Sequence, residues 1–160
     1  MTFTSRIDLS EHTRKHACAL LQARLSDALD LEAQTKQAHW NVKGPHFLSL
    51  HELFDRVHGE AEEFVDLLAE RITTLGHTAD GRIATTAAAS TLYAYPLEAA
   101  GGEAHLKALS ASLAAFGKAV RAAIGEAESI GDADTADLFT QISRETDKQL
   151  WFLEAHLQAH

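Results

Sequence analysis

The 160-residue sequence predicts an all-α fold: a four-helix bundle forming one domain over 1–160, with one long crossover between the second and third helices. Three observations predict it. Apolar residues recur by threes and fours over long stretches, most of the 9 glycines and 2 prolines fall between those stretches, and one long segment near the middle has no clear period. The chain is long enough to bury a substantial core, and 46% hydrophobic with 23% charged residues is a globular composition.

A short arm, about 1–7, precedes the first helix. From about 8 to 42 no glycine or proline interrupts, and Leu21, Leu25 and Ala28 mark an apolar stripe, with the break at Gly44-Pro45. The second helix has the cleanest period: Leu50, Phe54, Val57, Ala61, Phe64, Leu68, Ile72 and Leu75, ended by Gly76 as a C-cap. Residues 77–102 carry scattered glycine, one proline and poor periodicity, and are too long for a tight helical hairpin. Leu106, Leu109, Leu113, Phe116, Val120, Ile124 and Ala127 give the third helix, punctuated by Gly131. The fourth starts near "GDADTAD", whose Asp and Thr residues suit an N-terminus, and runs through Phe139, Ile142, Leu150, Leu153 and Leu157. Short links make the first and last pairs antiparallel, and the long middle segment can carry the chain back along the bundle. An up-down-up-down bundle with a decorated loop is the alternative.

The single Cys18 excludes an internal disulfide framework and suits a reducing, cytoplasmic setting. No stretch approaches the ~20 apolar residues of a membrane span, and the start has no apolar run of signal-peptide length. A net charge of −9 favours cations over nucleic acid or anionic lipid as partners.

The candidate site lies on the second helix. His51, Asp55, His58, Glu62, Asp66 and Glu70 follow at steps of three and four, one position after the apolar stripe. One position is about 100° of rotation, so this polar stripe borders the core. It contains no lysine or arginine, so neighbouring carboxylates repel at i,i+4 unless a cation is bound. His39, in the last turn of the first helix, can meet His51 across the short "NVKGPHF" connection. Imidazole nitrogen with carboxylate oxygen suits a first-row divalent metal, iron before zinc, whereas calcium prefers oxygen alone.

Two familiar patterns are absent. "HELFD" has aspartate where H-E-x-x-H needs its second histidine, and no histidine has a glutamate three positions before it, which excludes Glu-x-x-His. Spacing adds a constraint: Asp55 and Asp66 are separated by roughly 16 Å of helix rise, while ligands to one metal each lie only ~2 Å from it. One helix cannot close the site. A two-fold axis can, if His39, His51 and Asp55 of one copy meet Asp66 and Glu70 of another, which makes two identical sites per dimer.

"KQAHWNVKGPHFLSLHELFD" followed by "EFVDLLAERITTLG" resembles the metal-oxidising segment of the Dps family, the DNA-protection-during-starvation proteins of the ferritin-like superfamily, and "VRAAIGEAESIGDADTADLFTQISRETDKQLWFLEAHL" is similar to the family's last two helices. The resemblance covers nearly the whole chain. It implies a ferritin-like bundle, a dodecameric hollow shell, and an intersubunit ferroxidase centre with two irons that oxidises Fe(II), using hydrogen peroxide before oxygen, and stores ferric mineral. It also implies His39, His51, Asp55, Asp66 and Glu70 as the metal ligands, with zinc as a competitor. Trp40 matches a family tryptophan near the centre; it either packs in the core or accepts stray oxidising equivalents. His58 and Glu62 match no family ligand, and His58 is read as a supporting or interface residue. Asp132, Asp134 and Asp137 either cap the fourth helix or, by resemblance, line an iron-entry pore. The lysine-rich N-terminal extension by which some relatives attach to DNA is not matched here: only Arg6, Arg14 and Lys15 precede Arg24, among Asp8 and Glu11. Strong DNA binding is therefore not expected at neutral pH, although acid would charge the histidines.

Overall fold

In the computed structural model, which describes residues 3–158, four long helices and one short one follow in order: α1 Glu11–Asn41, α2 Phe47–Thr74, α3 Ile83–Ala89, α4 Gly102–Ser129 and α5 Ala133–Ala155. The four long helices are those that the apolar periods predict. The fourth predicted helix becomes α5, because the crossover contains α3, about two turns whose "IATTAAA" sequence buries no residue and so leaves no period to read.

Local chemistry sets the ends. Ser10 accepts a hydrogen bond from the Thr13 amide at 3.0 Å and starts α1, three residues later than the unbroken composition suggests. Gly76 follows the end of α2 at φ +86°, and a Cβ there would lie 2.7 Å from the Phe3 carbonyl oxygen. Glycine is thus required twice, for the left-handed turn and for the N-terminal arm, whose Phe3 amide donates to the Gly76 carbonyl at 2.6 Å.

The core is one continuous cluster in which Phe54, Phe116, Phe139, Leu21, Leu68, Leu113 and Ile142 are fully buried. Phe64 stacks on Phe116 with ring centroids 5.9 Å apart. Gly117 lets α4 approach α5 closely, since a Cβ there would meet Thr146 Cγ2 at 3.2 Å.

The crossover runs the length of α1, fastened by a column of polar side chains. Gln22 exchanges two hydrogen bonds with the Asp80 backbone, at 3.0 and 2.9 Å. Asp27, fully buried, accepts from the Thr91 amide and hydroxyl at 2.7 and 3.0 Å and pairs with Arg24 at 2.8 Å. Asp30 accepts from Ser90 Oγ at 2.5 Å, and Gln34 donates to the Tyr93 carbonyl at 3.0 Å while accepting from Ser112 Oγ at 2.6 Å. The crossover ends beside the α1–α2 turn, where the Lys43 amide donates to the Ala100 carbonyl. α4 therefore starts where α2 starts and runs parallel to it, which is the crossover topology and not the up-down-up-down alternative.

At the opposite end of the bundle, Asp132 is 1% exposed and caps α5. Its carboxylate accepts from the Thr135 amide at 3.0 Å, the Thr135 hydroxyl at 2.6 Å and Arg71 Nη2 at 2.8 Å. This ties the last turn of α2 to the first turn of α5. Arg71→Met should destabilise the fold by about 3 kcal/mol, because it leaves a buried carboxylate without its cation. Adding Asp132→Asn should recover most of that loss, since asparagine still caps. Urea unfolding of the three proteins measures both changes, and a double variant no more stable than Arg71→Met would exclude the charge as the cause.

Candidate metal centre

The α1–α2 hairpin brings His39 and His51 together face to face, their rings stacked with centroids 3.6 Å apart and 21° between planes. Each ring is held by the other residue's backbone. His39 Nδ1 donates to the His51 carbonyl at 2.9 Å, and His51 Nδ1 donates to the His39 carbonyl at 2.8 Å. A carbonyl only accepts, so both Nδ1 atoms carry a proton, and Nε2 is the atom of each ring left to bind a cation. The local sequence explains why those carbonyls are available. His39 is in the last turn of α1, whose final carbonyls have no intrahelical partner, and a carbonyl has a second lone pair even where one is used.

Asp55, one turn after His51, is half exposed and lies with one carboxylate oxygen 3.8 Å from His39 Nδ1. Lys36, one turn before His39, reaches across the hairpin and donates from Nζ to the same oxygen. That hydrogen bond, more than the surrounding charges of Lys36, His39 and His58, holds the Asp55 carboxyl below its ordinary value. Lys36 is the participant that sequence reasoning missed. It sits on the His39 face three residues earlier, but its pairing with Asp55 depends on the register of two helices.

The remaining members of the stripe are separated as the helix rise requires. Asp66 and Glu70 are exposed, and no hydrogen bond or ion pair to either carboxylate is present among the described residues. Glu62 is also exposed. His58 turns inward against α1, where its Nδ1 lies 3.3 Å from the Glu32 carbonyl and 3.5 Å from Thr35 Oγ1. Trp40 is 68% exposed, so core packing within the subunit does not account for it. Of the three aspartates at α5, Asp132 is committed to the cap, while Asp134 and Asp137 are exposed on the first turns.

Among the described residues no three His, Cys, Asp or Glu side chains close around one metal position. A single copy brings two stacked imidazoles together, with the Asp55 carboxylate on the Nδ1 side of the His39 ring. This donor set fits a first-row divalent ion that ranks imidazole and carboxylate together, with each ring already oriented by its outer hydrogen bond.

Because the folded Asp55 carboxyl titrates below the unfolded one, the Lys36–Asp55 contact stabilises at neutral pH, and its contribution is lost as acid protonates Asp55. Lys36→Met should raise the Asp55 midpoint toward the ordinary carboxylate range. Carbon-detected titration of the Asp55 carboxyl checks it, and an unchanged midpoint would assign the depression to another group.

Residues 18–159 match the Ferritin-like domain family model. The chain is 39% identical over 157 residues to the DNA protection during starvation protein of Agrobacterium fabrum, covering 98% of this chain and 97% of that one. Among solved structures it is similar to Dps from Microbacterium arborescens in the high iron form, with a TM-score of 0.87 and 34% identity over 92% of this chain and 96% of that one. It is also similar to DpsC from Streptomyces coelicolor, with a TM-score of 0.95 and 28% identity over 100% of this chain and 94% of that one. With its bundle topology and these matches, the chain belongs to the Dps family of ferritin-like proteins.

Proposed function

We propose that this chain is the subunit of a mini-ferritin that oxidises Fe(II) with hydrogen peroxide at centres shared between two copies and stores the ferric product inside a dodecameric shell. The observation that carries the reading is the reciprocal clasp of His39 and His51 near Asp55, which fixes both Nδ1 atoms on backbone carbonyls and leaves Nε2 of each ring for a metal. Family membership supports it, as does the likeness to a Dps solved in a high iron form.

Iron is substrate here. His39, His51 and Asp55 bind Fe(II) from one side, and Asp66 and Glu70 of the partner subunit complete the set. Neutral imidazoles hold Fe(II), and carboxylates favour the product because the added positive charge of Fe(III) rewards anionic oxygen. Two Fe(II) ions each give one electron to peroxide, its O–O bond breaks, and two protons are taken up to release two waters. Pairing the irons supplies both electrons together and avoids a hydroxyl radical. Lys36 holds the Asp55 carboxylate ionised until the metal displaces its ammonium. Trp40, exposed next to His39, would take up a stray oxidising equivalent, and the exposed Asp134 and Asp137 would draw Fe(II) toward an entry pore. Zinc(II) fits the same donors but has no redox step, so it competes.

Anaerobic loading with Fe(II) followed by peroxide should consume one peroxide per two irons. No peroxide loss, together with tight zinc retention, would instead indicate a shell that holds metal without turnover. Asp66→Ala with Glu70→Ala should slow fast oxidation by at least about 100-fold, the upper range for loss of an outer hydrogen-bond partner alone, with shell mass unchanged on the same sample.

DNA compaction is the second reading, motivated by relatives named for DNA protection. Charge opposes it. At −9 per chain every copy repels phosphate, and phosphate neutralisation supplies most nonspecific affinity. A gel shift at neutral pH and low salt should show no tight complex; a retained complex would overturn this expectation.

A further inference from the structure

His12 and His16 stand on the first two turns of α1, one helical turn apart and both exposed. Their rings are edge to face, with centroids 4.2 Å apart and 70° between planes. His16 Nδ1 lies 3.1 Å from the His12 carbonyl oxygen. Since the carbonyl can only accept, this fixes the His16 proton on Nδ1 and leaves the Nε2 lone pair toward solvent. Neither ring nitrogen of His12 has a hydrogen bond among the described residues, so that ring can turn to meet a shared ion. Two nitrogens each ~2.0–2.1 Å from one metal lie about 3 Å apart, within reach of rings this close.

The backbone beneath the pair is held in place. Ser10 caps the helix at the Thr13 amide, and the Thr13 hydroxyl donates to the Ile130 carbonyl at 3.3 Å, anchoring this turn to the α4–α5 link. We propose that His12 and His16 form a bidentate surface site for a borderline divalent transition metal of the zinc(II) class, with water in the remaining positions. The site is separate from the His39–His51 pair, since 23 residues of α1 between His16 and His39 span about 35 Å.

Charge does not build this site. Glu11 favours a cation, while Arg14, Lys15 and the positive end of the helix oppose it. Binding rests on the two imidazoles, which predicts selection by donor preference: zinc(II) and copper(II) ahead of iron(II), and neither magnesium nor calcium.

Calorimetric titration of the assembled protein with zinc(II) tests the assignment. His12→Gln with His16→Gln should remove one zinc site per chain, and His39→Gln with His51→Gln should leave that site in place. Either single substitution, His12→Gln or His16→Gln, should weaken the site at least tenfold, because chelation needs both rings. Peroxide-dependent Fe(II) oxidation and shell mass should match the wild type in the His12/His16 double variant, which separates this site from the proposed iron centre. An unchanged zinc count in that variant, or a single substitution without effect, overturns the proposal, as does equal binding of magnesium(II).

Discussion

The topology of the bundle depends on the polar column along α1. A crossover without hydrogen-bond partners would leave its backbone groups to solvent and its ends free to choose either side of the bundle. Gln22, Asp27, Asp30 and Gln34 instead receive the segment at four successive levels. Asp27 is the most demanding of them: it is fully buried, and its charge is tolerated because Arg24 and two donors of Thr91 satisfy it. By leading the chain back along α1, this column starts α4 beside the α1–α2 turn and makes it parallel to α2.

With α4 and α5 covering the other side, the α1–α2 hairpin keeps one stripe of α2 in the core and the next stripe at its edge. That edge is where His39, His51 and Asp55 meet. The arrangement tolerates partly buried imidazoles because each donates to a carbonyl that helix geometry leaves able to accept. The same hairpin register aligns Lys36 with Asp55, so an internal cation occupies the carboxylate. Further along α2, Asp66 and Glu70 have no such internal cation among the described residues. The two ends of the stripe are therefore unlike: one carries its own cation, and the other does not.

Much of this was legible in the sequence, for physical reasons that differ by element. α2 faces one core and one solvent side, so its period of 3.6 stands out and its stripe of donors could be located residue by residue. α1 is harder to read, because it is buried both against the bundle and under the crossover; polar residues such as Asp27 and Gln34 occupy what a two-sided helix would give to apolar ones. α3 had no period because it buries nothing. Asp132 illustrates a residue whose position was legible and whose full role was not: its place before a helix suggested a cap or a pore, the Thr135 amide makes it a cap, and the pairing with Arg71 of α2 could not be read from spacing. Trp40 shows the converse, since an aromatic beside a core helix reads as packing until the helix is seen to turn it outward.

Histidine, one residue type, is prepared for opposite uses in this fold by its burial and by what its Nδ1 meets. At His16, His39 and His51 the partner is a backbone carbonyl, so the proton is held there and Nε2 remains a base open to a cation. At His105, buried to 1% exposure, the partner is the Tyr95 hydroxyl at 2.6 Å. Burial raises the phenol's pKa and lowers that of the imidazole, so both stay neutral. A phenol, unlike a carbonyl, both donates and accepts, so this contact serves either tautomer of the ring. This ring can neither accept a metal nor charge readily, and it joins the end of the crossover to α4 as part of the packing. A carbonyl partner outside the core thus fixes which histidine nitrogen stays free, and burial against a phenol makes the ring a strut, a distinction that residue identity alone does not reveal.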